Sequence, residues 1–312
     1  MEYFKLSSPL ILAPMAGVTN VAYRILCKRM GAGICYTEFL SADALVKYKD
    51  VHDNPIFDVV QEERPVVTQI FGENPEKIME AAEYLVGKTD IIDFNIGCPA
   101  PKILACGGGA ALLKNPQRIQ DILEKLNTLS LTISCKIRLG IDEKNIVALD
   151  VAKISEKAGC CAIAVHPRTQ KQGYSGNADW SYIKKIKDLV SIPVIGNGDV
   201  HTVQDVSRMM QETGCDYVMV GRAAMKDPFF FTKANHYLKT GEVLEDISLS
   251  EKVYLLKEYI CLLQKYGIYN EALVKQTCIQ FTKGYFGSAK LRGDLNTLQS
   301  KEQFLERIDL LV

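Results

Sequence analysis

The sequence predicts a (β/α)8 barrel of parallel strands followed by a small all-helical C-terminal domain, and three observations carry that prediction. Short β-rich apolar runs alternate with amphipathic stretches of helical length from Leu10 to about Gly221. The runs are apolar on both faces, as strands must be when helices cover a parallel sheet on each side. Eight such units fit into roughly 230 residues, the usual extent of this barrel. A doubly wound open sheet is the alternative fold. It calls for a Gly-x-Gly-x-x-Gly turn after the first strand, where Ala13-Pro14-Met15-Ala16-Gly17 stands instead.

In chain order the strands are expected at Leu10–Met15, Ile34–Glu38, Val66–Phe71, Ile91–Asn95, Thr132–Arg138, Ala162–His166, Pro193–Gly196 and Tyr217–Val220. Each is a run too short for a helix and rich in Ile, Val or Leu. Between most of them the apolar residues recur at helical spacing, as over Pro75–Val86, Asn115–Leu126, Ile146–Lys157 and Thr202–Thr213. After Met225-Lys226-Asp227-Pro228 only the helical pattern remains. Lys239-Thr240-Gly241-Glu242 reads as a linker, with helices expected near Ser250–Tyr266, Glu271–Phe281, Ser288–Leu298 and Lys301–Leu311. The division is therefore a barrel over residues 1–240 and a helical domain over residues 241–312.

Composition narrows the class. The 312 residues are those of an ordinary globular protein, with no repeat or disorder signature. No apolar run is long enough to cross a bilayer and no basic N-terminal segment precedes an apolar stretch, so a cytoplasmic protein without a membrane partner is expected. Ten cysteines are scattered without a Cys-x-x-Cys pair or matching histidines, which favours reduced core thiols over disulfides or a metal site. Lys plus Arg and Asp plus Glu are equal at 37 each. A nucleic-acid partner would then require a local basic patch.

In this fold the site lies at the carboxyl ends of the strands. The chain places there Met15, Glu38, Gln69, Asn95 with Cys98 beyond it, Lys136 and Arg138, His166 and Arg168, Asn197 with Asp199, and Gly221-Arg222. A single strand-end histidine or lysine is more often structural or solvated. So many coincident cases describe a polar ring over an apolar barrel. Gly196-Asn197-Gly198-Asp199 and Gly221-Arg222 follow the last two strands, where this fold binds phosphate, although tight turns alone would also select glycine. A phosphate-anchored flavin across the mouth would bring its ring near Met15, Gln69 and Lys136, with the Lys136 ammonium beside its pyrimidine edge. Cys98, set between Gly97 and Pro99, is presented from a loop rather than from regular structure, which suits a proton donor. Free cysteine is otherwise most often packing.

Seven motifs in order carry a resemblance. They are Ala13-Pro14-Met15-Ala16-Gly17-Val18-Thr19, Thr37-Glu38, Gln69-Ile70-Phe71-Gly72, Asp93-Phe94-Asn95-Ile96-Gly97-Cys98-Pro99, Lys136-Ile137-Arg138-Leu139-Gly140, His166-Pro167-Arg168-Thr169 and Gly196-Asn197-Gly198-Asp199. Through them the chain resembles the tRNA-dihydrouridine synthases, across the whole barrel and less tightly through the tail. The resemblance implies an FMN enzyme that reduces uridines in tRNA with NADPH as electron source. It implies flavin contacts at Pro14, Met15, Ala16, Gln69, Lys136, His166, Asn197, Gly198, Asp199, Gly221 and Arg222, a proton donor at Cys98, and a hold on the target uracil at Asn95. Glu38, Arg138 and Arg168 are expected on the substrate side of the mouth. Such chemistry needs a pocket for a base taken out of its stack, and the stretch Arg168–Asp179 with Gly173, Tyr174 and Gly176 is a candidate rim.

The tail adds Lys275, Lys283, Lys290 and Arg292 with no acidic residue among them, interleaved with Phe281, Tyr285 and Phe286, which reads either as an RNA-facing patch or as a solvated helix face. Lys275-Gln276-Thr277 stands where many relatives carry an Arg-Lys-His run, which leaves the modified position open. The partner expected is tRNA rather than DNA, and the protein is expected to be a monomer. Three other readings compete: a flavin-dependent reductase of a free pyrimidine resembling dihydroorotate dehydrogenase, a non-catalytic RNA-binding barrel, and a phosphate-binding isomerase or aldolase barrel. The last predicts a colourless protein; the second has no use for Cys98 or Lys136.

Overall fold

The computed structural model describes residues 6–48, 59–285, 293 and 301–309. Its centre is a closed parallel barrel. The strands are β1 (Leu10–Leu12), β2 (Ile34–Tyr36), β3 (Leu40–Ser41), β4 (Val66–Phe71), β5 (Ile91–Ile96), β6 (Thr132–Arg138), β7 (Ile163–His166), β8 (Val194–Asn197) and β9 (Tyr217–Val220). They run in the order β2-β1-β9-β8-β7-β6-β5-β4-β3, and a further pairing of β2 with β4 closes the ring. The period-2 alternation of each strand divides its apolar residues between two cores. Ile11, Ile34, Val67, Ile91, Ala164, Ile195 and Met219 fill the barrel interior. Leu12, Cys35, Ile70, Phe94, Ile137, Val165, Val194 and Val220 face outward and pack under the helices.

The second barrel strand differs from expectation. Instead of running through to Glu38 it stops at Tyr36 and resumes as β3 on the same neighbour. Tyr36 pairs with Val67 and Leu40 with Ile70, so three residues on one side face two on the other. This is a bulge, and it turns Glu38 out toward the first βα loop, where Glu38 Oε2 accepts a hydrogen bond from the Gly17 N–H at 2.6 Å.

The crossover helices follow the expected pattern: α1 (Val21–Arg29), α2 (Ala42–Tyr48), α3 (Pro75–Leu85), α4 (Pro101–Ala105), α5 (Pro116–Leu126), α6 (Ala148–Lys157), α7 (Ser181–Lys187), α8 (Val203–Thr213) and α9 (Arg222–Lys226). Asn74 and Asn115 cap α3 and α5, each with proline in the first turn, and Thr202 caps α8 through a reciprocal pair with Asp205. Beyond them, α10 (Phe230–Thr240) ends on Gly241 in a left-handed conformation, so the expected linker begins as a helix cap.

Helices α11 (Leu249–Lys265) and α12 (Glu271–Phe281) and a last helix, Lys301–Asp309, make up the described part of the tail. The helix expected at Ser288–Leu298 lies, apart from Gly293, outside the described residues. Leu256, Tyr259, Ile260, Leu263, Val274, Phe281 and Phe304 join the same apolar cluster as Val21, Ile25 and Leu26 of α1. The Tyr23 ring meets Tyr259 edge-on at 5.9 Å, and the Tyr259 hydroxyl accepts from Asn20 Nδ2 at 2.9 Å. Among the described residues, no helix is long and apolar enough to cross a membrane.

Candidate active site

At the carboxyl ends of the strands a cleft opens, lined by Pro14 and Met15 after β1, Lys136 from β6, His166 from β7, Asn197-Gly198-Asp199 from β8 and Gly221-Arg222 from β9, with Tyr174 on its rim. The expected ring thus converges at these positions. Ala16 stands next to them in the exposed first βα loop. Gly198 lies at φ +114° where a Cβ would come within 2.9 Å of the His166 ring, so only glycine lets this backbone approach the cleft.

Gln69 is not at the surface of this cleft; it is fully buried beneath it. Pairing in register, Gln69 lies beside Asp93 and Asp93 beside Ser134, all facing inward. Ser134 Oγ donates to Asp93 Oδ1 at 2.7 Å, and Gln69 Nε2 donates to Asp93 Oδ2 at 2.7 Å. Asn95 Nδ2 then donates to Gln69 Oε1 at 2.7 Å. The other end of the Asn95 amide, Oδ1, accepts from the backbone N–H groups of Gly97 at 3.0 Å and Cys98 at 2.9 Å. The Cys98 loop is held from its far side too: its carbonyl accepts from Ala110 N, and Gly109 at φ +58° passes so close that a Cβ would meet that carbonyl at 2.7 Å. Cys98 itself is half-buried.

Arg138 and Arg168, expected on the substrate side, are both 2% exposed. Their donors are engaged within the wall. Arg138 Nη1 reaches the carbonyls of Thr169 and Gly173, and Arg168 reaches those of Ser175 and Gly176 and both oxygens of Asp199 at 2.9 and 2.7 Å. Asp199 also accepts from the Ala178 N–H at 2.7 Å and from Arg222 at 3.0 Å. The rim loop is thereby fastened, and Tyr174 stands 64% exposed with the Arg138 and Arg222 guanidinium groups 5.5 and 5.4 Å from its ring centre.

Electrostatics follow from this confinement. Half-buried Lys136 has no hydrogen-bond or ion-pair acceptor among the described residues, and desolvation with the neighbouring Arg138 charge lowers its pKa to about 8. Burial, together with the charges of Lys136, Arg138, Arg168 and Arg222, pushes His166 well below its usual value, so the imidazole is neutral. Burial raises the Cys98 thiol above 9.0 despite the Ala100 N–H, Lys136 and Arg138, which act the other way. Cys98 is therefore a thiol, not a thiolate, at neutral pH. Burial also lifts Asp93 to about 6 against the pull of Ser134, Gln69 and Lys136.

The donor set suits an anionic, ring-bearing ligand: a free ammonium, a neutral imidazole, and backbone exposed at a glycine where a side chain would block approach. Among the tail residues, Lys283 is exposed and lines a second cleft with Lys226, His201, and Lys233 and Lys252, the last two ion-paired with Asp227 and Asp246 in the same cleft. Lys275 lies 5.4 Å from the Phe304 ring centre. Lys290 and Arg292 lie outside the described residues. The sequence reading missed Asp93 and Ser134 as site residues. Each sits two positions before a residue it did select, Asn95 and Lys136, so the period of the strand was the available signal. It also missed Lys226 and Lys233, which join Lys283 only through tertiary packing.

The sequence model of the dihydrouridine synthase family matches residues 11–311 of this chain. The chain is 36% identical over 307 residues to a probable tRNA-dihydrouridine synthase of Aquifex aeolicus, covering 96% of this chain and 94% of that protein. It is 35% identical over 311 residues to tRNA-dihydrouridine synthase B of Pseudomonas aeruginosa, covering 96% and 91%. Among solved structures, histamine dehydrogenase from Rhizobium sp. 4-9 superposes with a TM-score of 0.55 at 12% identity over 82% of this chain, and 6-hydroxypseudooxynicotine amine oxidase from Pseudomonas geniculata with 0.59 at 12% over 81%. The chain spans about half the length of each of those two, 49% and 50%. They share its barrel. With a family match across nearly its whole length and relatives above a third identical that it covers almost end to end, this chain belongs to the dihydrouridine synthase family.

Proposed function

We propose that this protein is an FMN-dependent tRNA-dihydrouridine synthase that reduces the C5=C6 bond of particular uridines in tRNA, with NADPH as the electron source and Cys98 as the proton donor. The observation that carries the reading is the free Lys136 ammonium in the wall of a cleft it shares with neutral His166 and the bare backbone of Gly198, beside the loop that presents the Cys98 thiol. Pro14, Met15, Ala16, Lys136, His166, Asn197, Gly198, Gly221 and Arg222 would hold the FMN, with Gln69 supporting from below and Asp199 fastening Arg222 and the rim. Bound and reduced, FMN supplies hydride to C6 of the uracil.

The remaining work falls to the chain. Hydride addition leaves enolate-like charge that a proton at C5 must quench, and Cys98, kept protonated by burial, is the acid for it. The cationic charge of Lys136 stabilises negative charge on either ring system in the cleft. Asn95, buried with both ends of its amide engaged, would act on the uracil through the Cys98 loop that it holds rather than by direct contact. Tyr174 offers a flat face on the rim for a base taken out of its stack. Residues 241–312 would serve as the tRNA-binding domain, by phosphate contacts from Lys283 and its neighbours and by shape.

The test is nucleoside analysis of tRNA from cells lacking the gene, which should have lost dihydrouridine at one or more positions that the purified protein restores. In the same assay Cys98→Ala should retain FMN and lose most of its turnover. A purified protein unable to take up FMN, or full turnover in Cys98→Ala, would overturn the assignment.

A further inference from the structure

We propose that Asp93 is a positioning residue for Cys98, acting from the barrel interior through the amides of Gln69 and Asn95, whose hydrogen-bond direction it sets. The inference rests on the reading of Cys98 as the acid. Its carrier is the polarity of the buried relay. An ionised carboxylate only accepts, so Gln69 must turn its Nε2 to Asp93 and its Oε1 to Asn95. Asn95 must then turn Nδ2 to Gln69, which leaves Oδ1 for the two loop N–H groups. At the other end, backbone N–H groups only donate. Acceptor-only and donor-only ends agree on one direction, and no member of the chain is free to turn over alone without setting like against like.

The surroundings isolate the carboxylate. Asp93 is completely buried, and the titratable groups that face it are Lys136 from β6, Tyr36 from β2, and Cys160 and Cys161 before β7. Ser134 occupies its second oxygen. This arrangement makes a specific demand on exchange of the two strand residues. Asn95→Asp alone puts a carboxylate at each side of Gln69, which has only one end that donates. The relay is then satisfied only when the pair takes up one proton. Exchanging both residues, Asp93→Asn with Asn95→Asp, reverses the amide of Gln69, moves the carboxylate to the loop end, and satisfies every group again.

The experiment is amide hydrogen exchange at Gly97 and Cys98 in the full-length protein, corrected for intrinsic rates, over a pH series. In Asn95→Asp, protection of these two amides should be kept at low pH and fall about tenfold or more as the pH rises and the shared proton is lost, which the second carboxylate holds above the wild-type Asp93 value of about 6. In the double exchange it should return to within about threefold of wild type and lose that pH dependence. A double variant that exchanges as fast as Asn95→Asp, or that does not fold, overturns the proposal. So does an Asn95→Asp protein with wild-type protection throughout. Because the readout is backbone exchange rather than uridine reduction, failure of the assigned reaction would leave these outcomes unchanged, and the two ideas fall separately.

Discussion

Replacing Lys136 with methionine should stabilise the cofactor-free protein while abolishing its hold on the cofactor. The ordinary pKa of the side chain is 10.5 and in the fold it stands at about 8. At about 1.4 kcal/mol per tenfold in acidity, keeping that ammonium charged in the barrel costs the empty protein ~3 kcal/mol. Methionine keeps the length and apolar stem of lysine and removes the charge, so most of that cost should return as stability. The pH dependence has a definite sign. Because the folded pKa is lowered, the unfolded chain binds more protons between about 8 and 10.5, and wild-type stability gained from losing this charge rises through that window. Denaturant unfolding of both cofactor-free proteins should therefore show Lys136→Met ahead by ~3 kcal/mol at pH 7, with a constant gap below pH 8 that closes toward pH 10.5. A variant no more stable than wild type at pH 7 would refute the reasoning that the ammonium is strained for a ligand.

Two further outcomes follow from the site. Asp199→Ala removes the acceptor that ties Arg168, Arg222 and Ala178 together; leaving a buried guanidinium short of partners should cost about 3 kcal/mol in denaturant unfolding and open the 169–178 loop to limited proteolysis. Lys283→Glu should weaken tRNA binding and lower the slope of log affinity against log salt by about 1 or more, with FMN content unchanged; an unaltered slope would remove Lys283 from the phosphate contacts.

The barrel was legible because its strands are apolar on both faces and punctuated by polar ends, and residues such as Lys136, His166 and Asn197 fall where strand ends must converge. The bulge after Tyr36 was not legible. It depends on the register of β4 against two segments at once, and no local pattern around Thr37–Phe39 announces an extra residue. Arg138 and Arg168 read as mouth cations from the same strand-end logic, yet the structure spends them on carbonyls of one loop and, for Arg168, on the Asp199 carboxylate, because that loop folds back over them. Gln69 was selected for the cleft and lies below it. Its partners, Asp93 and Asn95, are polar residues in an otherwise apolar strand, and which polar group meets which is decided by cross-strand register rather than by sequence spacing. The tail's described helices were visible as periodic stretches, whereas the second cleft, with Asp227 and Asp246 in its lining, joins Lys283 to Lys226 across the chain and could be seen only after folding.

The shared core of α1 with the tail bears on how such a protein can be rebuilt. Tyr23 lies in the first βα unit, yet its ring packs on Tyr259 and Phe281 and its hydroxyl bonds the Ala224 carbonyl at 2.6 Å. The interface therefore involves both the opening and the closing units of the barrel. A chimera that grafts a relative's tail at Gly241 would place new side chains against an α1 shaped for the old ones. Transplanting a tail between relatives thus requires carrying Val21–Arg29 along with it, and the natural joint for swapping lies on the surface of α1 rather than in the linker.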